Sequence, residues 1–215
     1  DALGDEDILT QAAEFIGLFF FIQGRFTEAI HYFEQAAHSF ESESGGRVIN
    51  PSGPLWLSYC AAFLGRFHRA IGTLDYYRRL ALEGADKELA TTLRAVLGII
   101  LLGIKKQKEA YFHLSGALQD ARQSHNALAS YFAKGGLAFH HYHEGRLHDA
   151  RDWINQTAEE GQSAGLVHQY ASPIVLETLF ELHRQKIVAM PHFDFYREFD
   201  RIMREPNVHL RGVAL

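Results

Sequence analysis

The sequence predicts an all-α protein built as an array of about five antiparallel helical hairpins. Three observations carry that expectation. Alanines recur at Ala29, Ala70, Ala110 and Ala150, spaced 41, 40 and 40 residues apart, and four positions after each stands a large apolar residue: Phe33, Leu74, Leu114 and Ile154. Upstream of each alanine, apolar residues fall at three- and four-residue spacing, the period of one helix face. The 215 residues contain only five prolines and no run of alternating apolar residues, which leaves little room for strands.

The register divides the chain into hairpins at 6–43, 54–84, 86–124, 126–164 and 166–205. In the first, Ile16, Phe19 and Phe20 line one helix, and G-R-F-T-E-A-I-H-Y-F-E-Q-A from Gly24 supplies the turn and the second helix. The second repeats this with Leu57, Ala61 and Leu64, then G-R-F-H-R-A-I-G-T-L-D-Y-Y from Gly65. The third has Val96, Leu97, Ile100 and Leu101 before K-K-Q-K-E-A-Y-F-H-L-S-G-A, with its turn glycine expected at Gly103. The fourth has Leu137 and His141 before G-R-L-H-D-A-R-D-W-I-N-Q-T from Gly145. The fifth would pair Val167–Lys186 with His192–Arg204 after Pro191; Met190 stands where the alanine is due, so this last unit is degenerate. Residues 42–54, rich in Ser, Gly and Pro, read as a surface loop between the first two hairpins.

Each residue type has a reason to be where it is. A turn glycine takes the positive φ that ends a helix. The alanine lets the second helix lie against the first, and the large residue one turn later fills the gap. Gly17 and Gly98, twelve residues before their alanines, allow close approach from the other side.

This pattern resembles the tetratricopeptide repeat family. The first unit matches best, through Ile16, Gly17, Phe20, Gly24, Phe26, Ala29, Phe33 and Ala36. The second has Ser58 in place of the small glycine; the fourth has His141 for an aromatic and Thr157 for an alanine. The likeness covers about residues 6–165. It implies a right-handed superhelix, an α-α solenoid. The period of about 40, against about 34 in the family, looks like the longer solenoids of large bacterial signalling proteins: maltose-regulator-type ATPase activators, kinase-linked regulators and enhancer-binding transcription activators. The resemblance therefore implies a non-catalytic interaction or regulatory domain, without a cofactor, binding a protein or peptide partner or adjoining domains of its own chain. Self-association as a homodimer and a purely structural spacer are the alternatives within that class.

The family's groove-lining positions fall on Glu14, Leu18, Phe21 and Ile22, then Leu55, Tyr59 and Phe63, then Ile99, Leu102, Phe132, Phe139, Tyr142 and His143. Family members that clamp acidic peptides carry Lys, Asn and Arg there; this set is apolar and aromatic instead. It would hold a hydrophobic ligand, peptide or partner helix, or its members simply bury one another.

Charge narrows the field further. Lys and Arg total 21 against 26 acidic residues, a net charge of −5 with no basic stripe, so nucleic acid is not an expected partner. The apolar run at residues 15–22 is far short of a membrane span. One cysteine, Cys60, allows no internal disulfide and fits a reducing, cytoplasmic setting. The Asp at the first position and the uncapped end V-H-L-R-G-V-A-L suggest a piece of a larger protein.

Three motifs carry possible chemistry. F-H-H-Y-H-E-G-R-L-H-D-A, residues 139–150, brings His140, His143, Glu144 and His148 together as an alternative metal or enzymatic site. H-E-G-R-L-H has one residue too many for the zinc-protease signature, and Gly145 breaks the helix inside it. In the blander reading His141 packs inside and its neighbours are solvated. G-Q-S-A-G, residues 161–165, matches the nucleophile elbow in letters only, because no strand precedes Ser163. Asn155-Gln156-Thr157 is a glycosylation sequon in the middle of a helix. Cys60 reads as a small buried filler.

Overall fold

The computed structural model describes residues 2–43, 52–163, 165, 173–187 and 194–204. These form ten helices and, among the described residues, no strand. They are α1 (Ala2–Ile22), α2 (Phe26–Glu43), α3 (Ser52–Phe63), α4 (Phe67–Glu83), α5 (Lys87–Gly103), α6 (Gln107–Ser124), α7 (Ala127–His143), α8 (Leu147–Ser163), α9 (Pro173–Arg184) and α10 (Phe195–Arg204). From α1 to α9 each helix packs on the next, and the odd-numbered helices also touch one another in series: α1 on α3, α3 on α5, α5 on α7, α7 on α9. The result is an all-α solenoid whose odd helices form one continuous layer and whose even helices flank it. Most of the expected connection 42–54, and the expected Pro191 helix start with Met190, lie outside the described residues.

The four repeat alanines occupy one environment. Each is the fourth residue of an even-numbered helix, each is fully buried, and so are Phe33, Leu74, Leu114 and Ile154 one turn on. The turns before them are equally uniform. Gly24, Gly65, Lys105 and Gly145 all take positive φ, between 61° and 75°. In each case the amide at that position and the one after it reach back to carbonyls three and five residues upstream; Gly24 donates to Phe21 and Arg25 to Phe20, both at 2.9 Å. This double bond closes the helix end. The third turn thus keeps its register on Lys105 rather than shifting to Gly103, which remains the last residue of α5. A lysine there bears a left-handed backbone that costs roughly 1 kcal/mol, and its hairpin supplies the compensating contacts.

Packing through the middle of the array turns on Leu114. A Cβ added at Gly98 of α5 would lie 2.6 Å from Leu114 Cγ, and one added at Gly136 of α7 would lie 2.6 Å from Leu114 Cδ2. The side chain of α6 is therefore wedged between two bare backbones. Gly17 meets Phe33 in the same way, at 2.7 Å. Ser58, at the equivalent place in the second hairpin, is buried with its hydroxyl donating to the Pro54 carbonyl at 2.7 Å. Neighbouring hairpins are also tied by a polar link. Asn126 caps α7 by accepting from the Ala129 amide at 3.0 Å, while its own amide donates to the Glu88 carbonyl in α5 at 2.9 Å.

Replacing Gly98 by Ala gains helix propensity but forces Leu114 from a filled site, so urea denaturation should show a net loss of about 1–2 kcal/mol. Combining it with Leu114→Ala should cost less than the two single effects added together, because the new methyl then fills the space the leucine leaves.

Candidate functional site

The odd-helix layer carries the predicted groove residues. Because these helices touch directly, the layer closes over much of the set. Phe21, Leu55, Tyr59, Ile99, Leu102 and Phe139 are buried in the core; Glu14, Leu18, Ile22, Phe132 and Tyr142 are half-buried; Phe63 and His143 are exposed. Phe63 is the rim of an aromatic group. Its ring stacks on Phe26 at 5.3 Å and lies 6.0 Å from Phe21, which in turn sits 4.9 Å from Trp56. Sequence reading passed over Phe26 and Trp56 as members of this group, although both stand at apolar helix positions. At the other end Phe139 meets His143 edge-on at 4.3 Å, and Tyr142 donates to Glu181 of α9 at 2.7 Å.

The histidine-rich stretch resolves differently from its expected set. His140, His141 and Glu144 come together, with one ligand atom of each within 4.8 Å of the others. His143 turns toward Phe139 and Tyr142, and His148 is exposed in the first turn of α8, so neither belongs to this group. His140 is not solvated either: it is only 4% exposed, because α6 covers this face of α7. Its Nδ1 lies 2.9 Å from Gln107 Oε1 and its Nε2 3.3 Å from Glu144 Oε1. His141 is 6% exposed, and its buried Nδ1 has no hydrogen-bond partner. Its ring lies parallel to Trp153 at 6.5 Å. Beside it a cleft of about 420 Å³ opens between α6 and α8, with Tyr111, Leu118, Arg122 and Trp153 among its walls.

Burial acts on the imidazoles in one direction. Desolvation lowers His113, His140, His141 and His143 below the ordinary value of 6.5, with neighbouring cations such as Arg94 beside His113 and Arg146 beside His140 and His141 adding to it. Glu144 opposes the shift at His140 without reversing it.

The remaining motifs offer no reactive group. Cys60 is fully buried and burial pushes its thiol up to about 12, so it stays protonated. Ser163 is exposed as the last residue of α8, with helix rather than strand before it, and Gly165 takes the positive φ of a helix-ending glycine. Asn155 lies within α8 with its Oδ1 buried, no place for a glycan. Among the described residues no helix is long and apolar enough to cross a membrane. No family model matches the sequence, and no curated protein does either.

Four lowered imidazoles give the metal-free chain a defined pH dependence. Above 6.5 both folded and unfolded states hold these histidines neutral and their contribution is intact. As pH falls through 6.5 the unfolded chain takes up protons first, so stability drops. Thermal midpoints measured with chelator between pH 7.5 and 5 should fall, and His113→Gln should flatten the slope.

Proposed function

We propose that this chain is a non-catalytic tetratricopeptide-like interaction domain of a bacterial signalling or transcription regulator, and that it docks an amphipathic helix on the outer face of α1. The observation that carries this reading is a difference between equivalent positions. On α1, Ile8, Leu9, Phe15 and Phe19 are 65%, 68%, 71% and 58% exposed. In the repeat register these correspond to Leu89, Ala90, Val96 and Ile100 on α5, all buried. On α7 they correspond to Ala129, Ser130, Gly136 and His140, again buried.

The interior helices supply the reason. Gly136 faces Leu114 of α6, and His140 meets Gln107 and Tyr111 of α6, so this register position packs on the second helix of the preceding hairpin. α5 packs on α4 and α7 on α6, whereas α1 packs on α2 and α3. Its face has the chemistry of an internal interface, with large side chains at i, i+1, i+7 and i+11 from Ile8. The occupant that suits it is a helix like α4, which carries Phe67, Ile71 and Leu74 on one side. The odd-helix groove adds Phe63 and the half-buried Leu18 and Ile22 as a secondary rim.

A fluorescently labelled peptide of residues 67–83 should bind the 215-residue chain saturably, with anisotropy as the readout. Phe15→Asp combined with Phe19→Asp should abolish binding while leaving the thermal midpoint close to wild type, since both side chains are exposed. A chain that does not bind the peptide contradicts this reading. Sedimentation showing a dimer that the same double substitution makes monomeric would assign the face to a second copy instead.

A further inference from the structure

We propose that His140, His141 and Glu144 bind a divalent transition-metal ion, with zinc the occupant that suits the donors. This site is independent of the docking face on α1. Two imidazoles and one carboxylate are a borderline-soft donor set that favours zinc over magnesium or calcium.

The surroundings have the features of an oriented ligand set. Gln107 Oε1 lies 2.9 Å from His140 Nδ1, and in the Nδ1–H tautomer it accepts that hydrogen, which leaves Nε2, 3.3 Å from Glu144 Oε1, as the ligating nitrogen. The Arg146 guanidinium donates to Glu144 Oε2, so the carboxylate is held while its Oε1 faces His140. His141 brings a buried nitrogen that no protein group satisfies. Burial keeps both rings in the neutral form that ligates. The three ligand atoms lie within 4.8 Å of one another, and rotamer adjustment would bring them to the separation of about 3.3 Å that tetrahedral zinc requires. Glu144 is exposed, which gives an ion a way in and leaves the fourth position to water. Since Gln107 belongs to α6 and the ligands to the end of α7, a bound ion would stiffen the junction between the third and fourth hairpins.

The test is zinc titration of the chelator-treated, full 215-residue chain, read by calorimetry and by the thermal midpoint. The expected result is one ion per chain and a raised midpoint, with no response to MgCl2. Glu144→Gln, at an exposed position, should weaken zinc binding by at least about tenfold, and Gln107→Ala by about tenfold. His143→Ala and His148→Ala should leave it unchanged. An absent zinc response overturns the proposal. So does zinc affinity that survives both Glu144→Gln and His141→Ala, which would move the ion to other histidines.

Discussion

One close approach, repeated from hairpin to hairpin, governs the rest of the fold. An even-numbered helix can lie against its odd-numbered partner only where both present little more than backbone, and at those points one large side chain fills the space that remains. Ala110 and Leu114 on α6, with Gly98 and Gly136 on the helices to either side, are the fullest expression of this. Fully buried alanines at the same helical position in four hairpins show that the constraint is repeated rather than local. Interior packing at crystal-like density leaves no slack at such points. Turn geometry, helix length and hairpin angle all have to deliver the same two surfaces to each other.

That constraint made the fold legible in the sequence. A spacing of 40 residues between alanines is a long-range signal carried by residue size, and size is what the contact selects. The first eight helices and their order followed from it, whereas α9 and α10 fall inside the stretches 167–186 and 192–204 that apolar positions and Pro191 marked out after the alanine register is lost. The third turn differs because its positive-φ position holds a lysine rather than a glycine. Register placed the positive φ at Lys105, and the hydrogen-bonding of the helix end mattered more than the residue's own backbone preference.

The candidate sites were harder to read, for a different reason. Whether a residue on a helix is open or buried depends on how many neighbours surround that helix, and no single helix records this. Phe21, Leu55 and Ile99 carry the pattern of a groove but lie where adjacent odd helices meet. His140 and His143 differ by one helical turn, yet one is sealed beneath α6 and the other rests at the edge against Phe139. The same geometry explains why α7 holds the buried unpartnered nitrogen of His141. With α5, α6, α8 and α9 all packed on it, almost no side of that helix is left to water. An unsatisfied buried polar group costs on the order of 1–3 kcal/mol, and here that cost falls on a helix packed by four others.

Because α1 to α9 pack in sequence, almost every contact joins segments no more than two helices apart along the chain. Loops closed during assembly are therefore short, and little chain entropy is lost before contacts compensate. Folding can begin at whichever hairpin forms first and spread outward in both directions, as it does in other stacked arrays. The hairpin of α5 and α6 meets packed neighbours on both sides, α4 before it and α7 after it, so growth from either direction reaches it through contacts already local in the chain.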